Sequence, residues 1–233
     1  GSPVTLGKNM TPQKYDAPKG ESRLGPESAR DLEQLSKHIT QWWGDAPEVF
    51  HEIVSEYVHI DLHLIPATAD RPYHTVVTSG MSDRPMKLVP GREEERYCEL
   101  MMALPRDWPI RADEIRTEDR WWPFRHLKQT ARFPHVYDTR IWYSHTIANE
   151  DPPQPFFTGV PFVGGILSIP TLCEKEAWTC SISPEKKVHF FAFVPLHDSE
   201  LRFAWQSGSN ALFEKLDAED VNEVIRPDRK AVV

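Results

Sequence analysis

Twenty-one prolines among 233 residues cut this chain into short pieces. They stand between apolar runs and form no repeat. A proline removes a backbone donor and fixes φ, so it ends strands and breaks helix interiors. Such a chain builds many short elements joined by stiff loops; long coiled coils are excluded and disorder is disfavoured. Hydrophobic content of 39%, aromatic content of 11% and eight Trp are enough for a sizeable core. The length suits one large domain or two small ones.

Leu32, Leu35, Ile39 and Trp42 or Trp43 recur at helical spacing after Pro26, and Gly44 supplies a stop. VSEYVHIDLHLIP then alternates. Val54, Val58, Ile60, Leu62 and Leu64 share one parity, with Glu56 as exception; Tyr57, His59, Asp61, His63 and Ile65 share the other. That is a half-buried strand ended by Pro66. YHTVVTSG reads as the next strand and YCELMMALP as a central one. A helix is expected within WWPFRHLKQTARF, with Pro123 in its first turn and Pro134 as its stop. Residues 144–161 are too proline-rich to be regular. FVGGILSIP, AWTCSIS and VHFFAFVPL read as strands, SPEKK as a hairpin loop, and SELRFAW and ALFEKLD as closing helices. Strands and helices are segregated more than alternated, which favours α+β. Residues 1–25 read as an extended or flexible N-terminal arm and 26–233 as a single domain.

Net charge is -8, and the basic stripe of a nucleic-acid binder is missing. The acidic balance suits solubility and would favour a basic partner. Cys98, Cys173 and Cys180 are odd in number and lack CxxC spacing, so buried free thiols are expected. No run of about 18 apolar residues is present, and no signal-peptide core, so a cytoplasmic location is expected.

HIDLH, residues 59–63, raises the question of a metal site. Four residues of strand span roughly 13 Å, and zinc–nitrogen bonds are about 2 Å. His59 and His63 therefore cannot share one ion if the segment is extended. Asp61 could converge with either neighbour, and His74 on the next strand could add a third ligand. The competing reading is a solvated or loop-covered strand face. His145, Asn149 and Asp151 form a polar group in the proline-rich loop, either a site or a rigid cover. TSGMSD, with Ser79 and Asp83, lacks the G-x-S-x-G pattern and reads as a turn. In PRDWP, Arg106 and Asp107 are expected to pair and Trp108 to cap the core. Gly164 and Gly165 lack the phosphate-loop pattern and mark a bulge or a close backbone approach. No catalytic constellation stands out.

IDLHLIPATADRPYHTVVTSGMSDRPM, residues 60–86, resembles the suppressor of fused (SUFU) family. The likeness continues through CELMMALPRDWP, WWPFRHLKQTARFPHVYDT, HTIANEDPPQPF, PFVGGILSIP and VHFFAFVPLHDSEL, over roughly residues 30–228. Ala67 departs from an expected proline, and Cys98 from an expected small residue. The resemblance implies an α+β domain with a mixed, mostly antiparallel central sheet flanked by helices. Animal members bind a zinc-finger transcription factor, gripping a short peptide as an added strand between two domains; this chain corresponds to the N-terminal one. Compact bacterial-type members resemble immunity proteins that neutralise toxins. No catalytic residue carries over.

The expectation is therefore a non-enzymatic protein-binding domain without cofactor, whose partner is a protein, possibly a toxin domain, and not nucleic acid or membrane. Asp61, His63, His74, Ser79, Asp83, Trp108, His145, Asn149 and Asp151 are the candidate binding residues. The alternative is a metal-dependent hydrolase or small-ligand binder using the His59–His63 face.

Overall fold

The computed structural model describes residues 4–6, 26–52, 57–115 and 117–233. Its core is a nine-stranded sheet. The strands are β1 (Val4–Leu6), β2 (Glu48–Phe50), β3 (Asp61–Ile65), β4 (Tyr73–Ser79), β5 (Cys98–Pro105), β6 (Thr146–Asn149), β7 (Phe162–Ser168), β8 (Thr179–Ser183) and β9 (Lys186–His197). Their order is β1-β6-β7-β9-β5-β4-β3-β2, with β8 hairpinned onto β9. Only β1–β6 and β5–β9 are parallel, so the sheet is mixed and mostly antiparallel. Four helices flank it: α1 (Pro26–Trp42), α2 (Glu118–Val136), α3 (Asp198–Ser207) and α4 (Ser209–Ala218).

Strand parity sorts the core into layers. Leu62, Leu64, Val76, Leu100, Met102 and Leu104 face α2, where they meet Trp122, Phe124 and Leu127. Ile65, Val77, Met101 and Phe190 face α1, whose Leu35, Ile39 and Trp43 have the spacing read from sequence. The rest of that second face, with Val163, Ile166, Val194 and Leu196, is covered by α3 and α4 through Leu201, Leu212 and Leu216.

Several expectations are revised. The run 53–65 contributes a strand only from Asp61; Val54 and Glu56 lie outside the described residues. This strand is not half-buried. His63 and Ile65 are as enclosed as Leu62 and Leu64, because α1 covers the second face. Pro134 does not stop α2, which runs to Val136 with both Pro123 and Pro134 inside it. Burial of Trp122, Phe124, Phe133 and both prolines outweighs the lost backbone bonds. The proline-rich loop contains β6, and β2 had no visible signal. In the N-terminal arm, β1 pairs with β6; residues 1–3 and 7–25 lie outside the described residues.

Two glycines are fixed by close approach. Gly80 has φ +102°, and a Cβ there would lie 1.7 Å from the His59 carbonyl oxygen. At Gly165 it would lie 2.4 Å from the Phe193 ring. The pairing of β7 also shifts register between Phe162 and Gly164. Beyond Met101, the segment Glu223–Ile225 takes over the edge of β5 that β9 leaves. Ala103 N–H donates to Glu223 O at 3.0 Å, and Ile225 N–H to Ala103 O at 2.8 Å. The Glu223 carboxylate accepts from Thr171 N–H, Leu172 N–H and the Thr171 hydroxyl at 2.7–2.8 Å.

Candidate functional site

The Asp61–His63 part of HIDLH lies in β3, and β3–β4 register decides what its side chains can do. Asp61 lies opposite Ser79, His63 opposite Val77 and Ile65 opposite Thr75. These residues share the α1 face. His74 lies opposite Leu104 and so belongs to the α2 face. The sheet therefore separates His74 from Asp61 and His63, and the three cannot hold one ion.

Each of these groups already has structural partners. His74 Nδ1 accepts the Ala67 N–H at 2.9 Å, so Nε2 carries the proton it donates to Arg106 O at 2.8 Å. His63 Nε2 is 2.8 Å from Ser79 Oγ. Burial lowers the His63 pKa, against the raising pull of Asp61. Asp61 accepts the Glu52 N–H at 3.1 Å and lies 2.9 Å from His51 Nδ1. Among the described residues, no group of three or more His, Cys, Asp or Glu is arranged to hold a metal.

The sequence reading passed over Glu99, which sits in the apolar run CELMMALP and is fully buried. Its carboxylate accepts from the Thr78 hydroxyl at 2.6 Å and from Ser82 N–H and Oγ at 2.9 and 2.7 Å. Burial pushes its pKa up to about 7 despite those bonds. Asp83, in the same turn, is pushed up to about 6, also by burial, with Lys186 opposing. The TSGMSD turn is held from two sides, since His135 Nε2–H donates to Met81 O at 2.8 Å.

The proline-rich loop is braced internally. The Asn149 amide donates to Gln154 O at 2.8 Å and Pro155 O at 3.1 Å. His145 Nδ1 accepts the Trp142 N–H at 3.1 Å, and burial lowers its pKa to about 4. Asp151 is exposed on the loop surface. His145 and Asn149 thus shape the loop, and only Asp151 is fully presented.

The geometry most like a binding site lies where the α2 face meets the end of the sheet. A cleft of about 850 Å³ opens there, within the range of ligand pockets. Pro47, Leu64, Pro66, Trp108, Pro109 and Ile110 line it together with His74. Trp108 caps the core as expected: its ring meets Trp122 edge-on at 6.2 Å and its Nε1–H donates to Arg120 O at 3.1 Å. Arg106 does not pair with Asp107. Its guanidinium donates to Thr68 O, across the loop before β4. The sequence reading found His74 and Trp108 singly, but not that the fold brings them into one cleft.

Residues 56–230 match the family model of the suppressor of fused protein (SUFU). The chain belongs to the suppressor of fused family. Solved SUFU structures share its fold. A SUFU homologue from Neisseria gonorrhoeae FA 1090 has a TM-score of 0.60 at 15% identity, covering 88% of this chain and 96% of that one. The Sufu–Fu complex gives 0.60 at 15%, covering 86% and 91%. Drosophila Suppressor of Fused gives 0.59 at 14%; this chain spans 51% of its length. No curated protein sequence matches. No helix among the described residues is long and apolar enough to cross a membrane.

Proposed function

We propose that this SUFU domain is a non-enzymatic protein-binding module of the cytoplasm, with residues 26–233 as the folded unit, and that its partner is a toxin domain it neutralises. The observation that carries this reading is the SUFU family match over residues 56–230. The Sufu–Fu complex supports it, because a SUFU protein of the same fold is there joined to another protein. The homologue from Neisseria gonorrhoeae, 96% of which this chain covers, supports the reading of residues 26–233 as a folded unit. The local chemistry agrees: the histidines of β3 and β4 and the buried Glu99 are bonded into the scaffold, where they stiffen a surface.

In this reading the candidate contact points are the partly exposed Asp61 and Asp83 on one face of the sheet, the loop carrying Asp151, and the cleft beside Trp108 on the other face. Exposed strand edges and aromatic pockets are the usual means of gripping a peptide. The test is affinity capture from the native host, followed by reconstitution of the captured protein with the purified domain. A one-to-one complex that abolishes the partner's toxicity is expected. Turnover of a substrate by the domain alone, without any reconstituted complex, would overturn the proposal.

A further inference from the structure

We infer that the cleft between Pro47–Pro66 and the 106–114 loop is a docking groove for an extended segment of a partner protein that presents basic side chains beside apolar ones. This rests on the protein-binding reading above and names its surface and the partner's chemistry.

The cleft combines a net-acidic rim with an apolar floor. Five charged residues line the cleft: Glu48, Arg106, Asp107, Arg111 and Glu114. The three carboxylates outnumber the two guanidiniums. Arg106 donates to Thr68 O, and Arg111 pairs with Asp113 at 3.2 Å. Glu48 commits one oxygen, Oε1, to Ala112 N–H at 3.2 Å. Asp107 and Glu114 have no ion pair among the described residues. With Asp113 paired to Arg111 beside them, the carboxylates leave the rim net negative, in a chain whose net charge is already -8.

Below that rim the walls are Pro47, Leu64, Pro66, Trp108, Pro109 and Ile110, all apolar. A lysine or arginine stem lies along such a surface while its head reaches a carboxylate. The other polar side chain in the cleft, His74, has both ring nitrogens bonded and offers a ligand no further group. An acidic ligand would meet an excess of carboxylates there, three against two guanidiniums. A basic-apolar segment fits both features, and the net charge would speed its arrival.

The test titrates the full chain, isotopically labelled for amide NMR, with two capped octapeptides. One alternates arginine and leucine, the other glutamate and leucine. The arginine peptide is expected to bind at least tenfold tighter and to shift the amides of Glu48, Leu64, His74 and residues 107–114. Asp107→Lys with Glu114→Lys is expected to weaken it at least tenfold. The same charge change at exposed positions of α4, Glu214→Lys with Asp217→Lys, controls for net charge. Equal binding of both peptides, shifts confined to other surfaces, or equal loss in the α4 control would each overturn the inference. A reconstituted partner that binds the Asp107→Lys, Glu114→Lys protein undiminished would also overturn it, while leaving the protein-binding reading intact. Capture of the arginine peptide as expected, with no partner found in the host, would support the groove and count against the toxin-partner reading.

Discussion

His63 and His74 stand on opposite faces of one sheet, each bonded to its own neighbours: His63 to Ser79 at 2.8 Å, His74 to Ala67 N–H and Arg106 O at 2.9 and 2.8 Å. This relationship removes the most attractive enzymatic reading of the sequence, in which Asp61, His63 and His74 would gather a metal. Zinc titration of protein purified without a nickel column should show no saturable site that His63→Ala abolishes. A stoichiometric ion lost on that substitution would mean the sheet register is wrong.

Glu99 should make stability fall as pH rises. Its folded pKa, about 7, is above the ordinary 4.5 because burial penalises the charge. The protonated carboxyl is therefore favoured in the folded state. That contribution is complete below pH 4.5 and is lost as pH rises through 7. The complete loss is roughly 3 kcal/mol at 1.36 kcal/mol per pKa unit. In urea unfolding between pH 5 and 8, Glu99→Gln should flatten the slope by about that amount. An unchanged slope would show that Glu99 titrates normally.

On the acid side, His126 acts in the opposite sense. Burial lowers its pKa from 6.5 to about 4, its ring centroid is 4.1 Å from that of Phe156, and its Nδ1 has no partner. The neutral ring is favoured by the fold, so its contribution is present above pH 6.5 and lost as pH falls toward 4. Replacing it by Leu should remove about 2–3 kcal/mol of that decline. Calorimetric melting temperatures across pH 4–7 would read this directly, with parallel curves for the two proteins as the contrary result.

A third stability prediction concerns Glu200, fully buried at the start of α3. Burial alone would raise its pKa, yet Arg229 at 2.6 and 2.8 Å and His197 hold it at about 2. Arg229→Met leaves that charge unpaired and should cost about 3–5 kcal/mol. Glu200→Gln added to it should recover part of the loss, because the orphaned charge is gone. Additive losses in the double-mutant cycle would show that the pair is not coupled.

The sequence made most of the sheet readable because β4, β5, β7, β8 and β9 are apolar or alternating runs bounded by proline, glycine or polar turns. It failed where three-residue β2 is too short to show a period. It also failed at Pro134, where packing of α2 overrides the local rule. Alternation in HIDLH correctly gave an extended chain. It could not tell that the fold would enclose the polar side as well and bury His63 against Ser79. Glu99 was invisible because one acid in an apolar run carries no sign of the three donors that its fold brings to it. The cleft is assembled from Pro47, Leu64, His74 and the 106–114 loop, and only strand pairing brings those four regions together.

The central claim is that this domain works by holding another protein. Isothermal titration calorimetry of the purified domain against the protein captured with it from its host tests that claim most directly. Saturable one-to-one binding that falls with rising salt is the predicted result. Absence of heat on mixing, together with substrate turnover by the domain alone, would contradict it.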